Sequence, residues 1–268
     1  MKLGLKTVVS VIVLVMLVIV YSPIMLMILF SFNSSRKITF PFESFSINWY
    51  IELLQNRQFT NALASSFLLA IVVGFVTLVI VVSTGLFLRE LTRGRKIIFY
   101  MFTLGIVIPG LSYGLGTGLL YKILGIRLAS WTALPVHVVW AVPWGLIILL
   151  TAFTPELATF EEAARTLGAS EIAIFKQVTM PLISSEMMAA TMFGFLLSWG
   201  ELIRSMFVAG GSATMPVFIF GFLYSSPPTP VLYSLGTLNV AFSFLLTIGI
   251  VLMLRRKSIS IVQGVQSR

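Results

Sequence analysis

Glu162-Ala163-Ala164-Arg165-Thr166-Leu167-Gly168, with Pro181 thirteen residues after the glycine, is the polar stretch on which the reading of this chain turns. Thr154 is a natural N-cap before it, Pro155 suits the first helical position, and Glu156 favours the positive end of the helix dipole. Leu157, Phe160, Ala164 and Leu167 recur at helical spacing and predict one apolar stripe. Glu161 and Arg165 lie one turn apart and are expected to pair. Gly168 stops this helix as a C-cap glycine does, and Ser170 can cap a second helix that runs to Met180 and ends at Pro181. The expected product over 154–181 is two short helices joined at a glycine elbow. The plainest alternative is an amphipathic connector lying on a membrane.

Everything around this insert is apolar. Hydrophobic residues make up 58% of the 268 residues, charged residues 10%, and the mean hydropathy is +1.02. Soluble domains carry about a quarter charged residues, so the chain reads as an integral membrane protein. It has no Cys, one His, and nine acids that are all Glu. Disulfides, thiol chemistry and thiolate metal sites are excluded, and neither a catalytic centre nor a metal site is expected. No internal sequence repeat is visible.

A helix needs about 20 apolar residues to cross a bilayer. The uncharged intervals place six transmembrane helices near 8–32, 63–88, 97–121, 131–153, 183–208 and 231–254. Pro23, Pro109 and Pro143 fall inside them as kinks that neighbouring helices can tolerate. The first span is too long for a signal-peptide core and is read as uncleaved. With both termini cytoplasmic, twelve Lys and Arg fall on the inner side and six on the outer, in accord with the positive-inside tendency. The expected fold is thus all-α, one membrane domain over 1–268. Ile47–Leu54 is expected as an interfacial helix with Trp49 and Tyr50 at headgroup level, and Gly210–Pro230 as an external loop made rigid by Pro227-Pro228-Thr229-Pro230. Tyr121 and Trp131 are expected as further interface anchors.

The insert resembles the EAA motif of permease subunits of type I ATP-binding cassette importers. That pattern is Glu-Ala-Ala, three residues, Gly, nine residues, then Ile-x-Leu-Pro. Glu162, Ala163, Ala164, Gly168 and Pro181 are in register, with Val178 and Met180 in place of Ile and Leu. Its position between spans four and five also fits. Within the family the chain resembles the spermidine/putrescine-type permeases, through Phe32-Asn33-Ser34-Ser35, Trp49-Tyr50 and Leu197-Ser198-Trp199-Gly200-Glu201.

The resemblance implies a type I importer permease fold and a division of labour. Glu161, Glu162, Ala163, Ala164, Gly168, Ala169, Ser170 and Pro181 would form the coupling segment that sits in a cleft of a separate ATPase. Two ATPase copies, a second permease subunit (a heterodimer is expected) and an external solute-binding protein would complete the assembly in a bacterial cytoplasmic membrane. The chain lacks a Gly-x-x-x-x-Gly-Lys-Ser/Thr loop, so it is expected to be no enzyme. It would bind no cofactor itself, ATP and Mg belonging to the ATPase. No nucleic-acid partner is expected from its +9 charge, which topology explains.

Candidate path residues lie in spans four and five. Glu201 and Arg204, three apart on the expected fifth helix, can pair. They read either as a cavity wall or gate, or as a structural ion pair. Glu201 could attract an amine, whereas Arg204 does not suit a purely cationic solute and leaves a zwitterion or an anion open. Trp199 neighbours them. His137, Trp140 and Trp144 share a helical face that is more often packing than a substrate-lining surface with cation–π capacity. Gly110, Gly114 and Gly118 form a ridge for close helix packing. Two other readings compete: an intramembrane enzyme, for which His137 has no evident partner, and a secondary transporter or channel, which would usually show an inverted repeat or paired broken helices and gives the insert no role.

Overall fold

The computed structural model describes residues 4–35, 43–211, 214–225 and 229–266, with side chains omitted for 5, 250 and 252–266. The expected rigid Pro227-Pro228 pair and the basic residues Arg36, Lys37 and Arg268 lie outside this set, as do the side chains of Arg255, Arg256 and Lys257. Among the described residues the regular structure is helical, with one isolated bridge between Asn33 and Phe45. The helices are α1 (Leu5–Ser31), α2 (Asn48–Gln55), α3 (Arg57–Glu90), α4 (Arg95–Val107), α5 (Gly110–Ile123) and α6 (Leu134–Leu150). They continue with α7 (Pro155–Thr166), α8 (Glu171–Ile174), α9 (Met180–Leu182), α10 (Ser184–Trp199), α11 (Ser205–Val208), α12 (Met215–Ser225) and α13 (Pro230–Gln266). Four are long and apolar enough to cross a membrane by themselves, and up to six spans result if each of two bent pairs counts as one. The protein is a multi-pass membrane protein.

Both bent pairs depart from the expected straight spans. At 97–121 the chain does not kink at Pro109 but breaks, α4 and α5 meeting at 93°. Ile108 and Pro109 are both extended, with ψ of 122° and 125°. The proline ring drives its predecessor out of the helical region, and the following glycine offers no resistance. Pro143, by contrast, stays inside an unbroken α6. The fifth span bends by 70° at Ile183 and its helix stops at Trp199 rather than running to 208. Glu201 and Arg204 therefore do not lie on a helix, but in the irregular segment between α10 and α11. Pro181 does not end the second insert helix either. It sits in the first turn of α9, behind a π-helical turn over Phe175–Thr179, where the Met180 N–H reaches back to the Phe175 carbonyl. Finally, much of the expected 210–230 loop is helix α12.

The chain divides into two compact units. One comprises 1–60 and 219–245. In it Ser234 Oγ donates to the Ser31 carbonyl at 3.1 Å, and Gly236 makes room for Met27. Trp49 is buried, not set on the surface, and its Nε1 donates to the Asn33 carbonyl at 2.7 Å. Tyr50 shares a 2.5 Å hydrogen bond with Ser31.

The other unit comprises 61–218 and 246–268. Its core is aliphatic: Val73, Val81, Val136, Leu146, Leu149, Ile183 and Ala190 are all sealed. Helices approach closely where they carry small residues. A methyl group on Gly74 would come within 2.8 Å of the Thr191 carbonyl oxygen, and one on Gly105 within 2.5 Å of that of Val139. Small residues let backbones meet where lipid, as apolar as leucine, supplies no hydrophobic drive. Trp131 is exposed, as an interface anchor is, whereas Tyr121 donates to the Thr132 carbonyl.

Candidate functional site: a glycine elbow and a broken-helix cavity

The elbow is built by local rules. Thr154 Oγ1 accepts from the Leu157 N–H and Pro155 opens α7. At the far end the Gly168 N–H bonds the Arg165 carbonyl and the Ala169 N–H bonds that of Ala164. This is the Schellman arrangement, which places one residue in the left-handed region. Gly168 is that residue, at φ +84°. Ser170 then accepts from the Ala173 N–H and opens α8.

The adjacent acids of the motif part company. Glu161 is buried. Its carboxylate is held by both terminal nitrogens of Arg89 at the end of α3 and by Thr179 Oγ1 at 2.5 Å. The Arg89 guanidinium also lies 5.1 Å over the Phe153 ring. Arg89 above all holds the Glu161 carboxyl below its ordinary pKa, against a desolvation that works the other way. The expected Glu161–Arg165 pair does not form. Arg165 instead crosses the elbow to Glu171 in a two-pronged bridge of 2.8 and 3.1 Å. Glu162 and Ala163 face outward, Ala164 and Ala169 are half-buried, and Ser170 and Pro181 are exposed. Of the expected apolar stripe only Leu157 is sealed. Phe160 is exposed, and Leu167 and Ile172 stand out at 88% and 69% accessibility. A cavity of about 490 Å³ lies beside the elbow, lined by Arg89, Glu161, Glu162, Arg165 and Glu171 among others.

The second constellation forms where two helices are interrupted. The Glu201 carboxylate accepts from the Arg204 backbone N–H at 3.0 Å and from its Nη1 at 2.8 Å, with both residues buried. The guanidinium carbon lies 4.1 Å from the centre of the Trp140 ring, and Trp140 meets Trp144 edge-on. The glycine ridge of α5 receives this segment. Methyl groups at Gly110 and Gly114 would touch Arg204 at 3.0 Å, and one at Gly118 would strike the Phe207 carbonyl oxygen at 2.6 Å. Glu201, Arg204 and Trp140 line one cavity of about 590 Å³ with Pro109, Gly110 and Gly200.

His137 and Trp199 do not line that cavity. Trp199 is buried and stacks on Phe195. His137 is sealed, one ring nitrogen 2.8 Å from Ser198 Oγ and the other 2.8 Å from Ser205 Oγ. It ties the end of α10 to the start of α11. Ser205 Oγ in turn meets the Glu201 carbonyl at 2.6 Å. Sequence reasoning named Ser198 only within a family pattern and gave Ser205 and Arg89 no role at either site. The run Ile108-Pro109-Gly110 was the available signal for the break. Among the described residues no cluster could hold a metal ion.

No protein-family model matches the chain. Curated relatives do. The chain is 27% identical over 240 residues to the spermidine/putrescine transport system permease protein PotC of Escherichia coli (strain K12), covering 89% of this chain and 90% of that one. It is 28% identical over 217 residues to the putrescine transport system permease protein PotI of the same strain, covering 75% and 74%. It is also 28% identical over 180 residues to a putative 2-aminoethylphosphonate transport system permease protein, PhnV, of Salmonella typhimurium, covering 66% and 68%. Among solved structures, a bacterial ABC transporter involved in alginate import superposes with a TM-score of 0.67 at 14% identity, covering 94% of this chain and 95% of that one. The MetNI methionine ABC transporter superposes at 0.62 and 18% identity, covering 79% and 99%. With its Glu-Ala-Ala elbow, its helical fold and these relatives, the chain is a membrane permease subunit of an ATP-binding cassette uptake system.

Proposed function

We propose that the elbow at Gly168 is the docking element for a separate ATPase and that the helical bundle carries a small organic solute across a bacterial cytoplasmic membrane. The observation that supports this most directly is the split between neighbours. Glu161 anchors the elbow inward through Arg89 and Thr179, while Glu162, Ala163, Leu167 and Ile172 are offered outward. An exposed apolar knob flanked by charge is what a cleft in a partner would grip. In this reading the elbow faces the cytoplasm, six spans form one permease domain, and both termini lie inside. Two ATPase subunits hold ATP and Mg, and this chain holds no cofactor. A second permease subunit and an external solute-binding protein complete the assembly.

The transmission route follows from the ties. A displacement of α7 pulls Arg89 at the end of α3 and Thr179 in the π-helical turn together, because both grip one carboxylate. The π-helical turn leads through α9 and the bend at Ile183 into α10, and α10 ends at the Glu201 segment. Glu201, Arg204 and Trp140 are proposed to border the solute path, with His137 and Trp199 behind them as support. The solute is a small amine-bearing compound, a class that includes the compounds named for the relatives: spermidine, putrescine and 2-aminoethylphosphonate.

The test is Gly168→Asp. Aspartate tolerates the left-handed region better than most residues, so the spans should insert normally while ATPase recruitment and uptake are lost. Unchanged uptake defeats the proposal. A secondary transporter would instead keep moving solute in cells that lack the ATPase.

A further inference from the structure

We infer that the broken-helix cavity is a zwitterion subsite, in which Arg204 takes the anionic group and Glu201 the ammonium of one solute. The inference rests on the permease reading above and narrows its solute class.

Irregular backbone within apolar spans is tolerated where it is buried in protein or lines a cavity. Here two interruptions converge: Ile108, Pro109 and Gly110 from the α4–α5 break, and Gly200 to Arg204 from the α10–α11 break, line the same space. Paired broken helices are a recurrent way for transporters to expose polar groups to a solute. The volume, about 590 Å³, lies in the range of small-molecule sites.

The polar groups in it are underused. A guanidinium carries five N–H donors, and Arg204 spends one, on Glu201. A carboxylate has about four acceptor positions, and Glu201 uses two, both on Arg204. Both side chains are at least nine-tenths buried, at 7% and 8% accessibility. The Trp140 ring holds the guanidinium on one face, and Gly110 leaves it room on another. The unspent donors belong to a planar fork suited to carboxylate or phosphonate.

The charge balance selects the ligand. A diamine drawn to Glu201 meets the Arg204 cation beside it, and a simple anion drawn to Arg204 meets Glu201. A solute with one charge of each sign satisfies both and leaves no buried charge unpaired. A solute of that kind can slot between the two or bridge their outer edges.

The full-length chain, purified in nanodiscs with the subunits that accompany it, is titrated with radiolabelled β-alanine, 2-aminoethylphosphonate and putrescine, with and without MgATP. We expect saturable binding of the two zwitterions in at least one of these states, and putrescine weaker by at least tenfold. Arg204→Gln and Glu201→Gln should each weaken zwitterion binding at least tenfold. If either single variant fails to fold with its partner charge stranded, Glu201→Gln with Arg204→Gln removes both charges together and should bind none of the three. Equal binding of putrescine, zwitterion binding unchanged in the double variant, or no binding of any probe in either state overturns the subsite. ATP-driven uptake that Gly168→Asp abolishes would then leave the importer reading standing. Uptake indifferent to Gly168→Asp would sink that reading instead.

Discussion

At the residue scale, Glu161 and Glu162 show how one position along a helix decides a side chain's role. Glu161 turns into a buried ion pair, where removing one partner strands the other, at about 3 kcal/mol or somewhat less because Arg89 keeps some access to water. Arg89→Met should therefore lower the thermal midpoint in detergent, whereas Glu162→Gln should leave it unchanged while weakening ATPase recruitment. The pH dependence has a definite sign. The folded Glu161 pKa lies below its ordinary value of 4.5, so its contribution is present above 4.5 and is lost as pH falls through the folded value. Melting followed from pH 7 downward should show an acid-side loss that Glu161→Gln removes. Gly168 carries a different burden. Nothing lies within 4 Å of a methyl group there, so Gly168→Ala costs only the left-handed strain, about 1–2 kcal/mol. None of this partnering of Glu161 was legible in the sequence, because Arg89 is 72 residues away and Arg165 offered itself at helical spacing.

At the element scale, the caps of the insert were readable, its π-helical turn was not, and the first break was signalled only by the run Ile108-Pro109-Gly110. Thr154, Pro155, Gly168 and Ser170 act through neighbours within five residues, so their caps follow from sequence alone. The breaks depend on what surrounds them. Pro109 and Pro143 both sit in apolar runs, yet only the first interrupts its helix. Pro109 is followed by a glycine that packs against the Arg204 guanidinium, whereas Pro143 lies on the buried face of α6, its ring close against Gly105 of α4. The Gly110, Gly114 and Gly118 ridge was legible as a packing surface, though its partner was not. Gly118→Ala should drive α5 off the Phe207 carbonyl at about 1–3 kcal/mol. Gly116→Ala, which meets nothing within 4 Å, should be neutral or slightly stabilising. Thermal unfolding of the pair separates contact from backbone entropy.

At the scale of the whole molecule, apolar surface dominates. The first span buries none of its apolar window, and Phe75, Tyr100, Leu119 and Phe244 stand open elsewhere. Such surface is matched by lipid, which is why composition alone revealed the class. The six-span topology is tested by labelling, and the absence of cysteine from the chain makes that direct. Leu167→Cys should react with a membrane-impermeant maleimide only from the cytoplasmic side, and Lys122→Cys only from the opposite side. Reaction of both from one side would refute the six-span topology.

The imidazole of His137 reaches Ser198 with one nitrogen and Ser205 with the other, and so behaves as a linchpin. A rotation of α6 either drags the two serines with it or costs one or both of these hydrogen bonds. The stretch that carries Glu201 and Arg204 is thereby moored at both ends to one helix, so a turn of that helix is felt at the two moorings together.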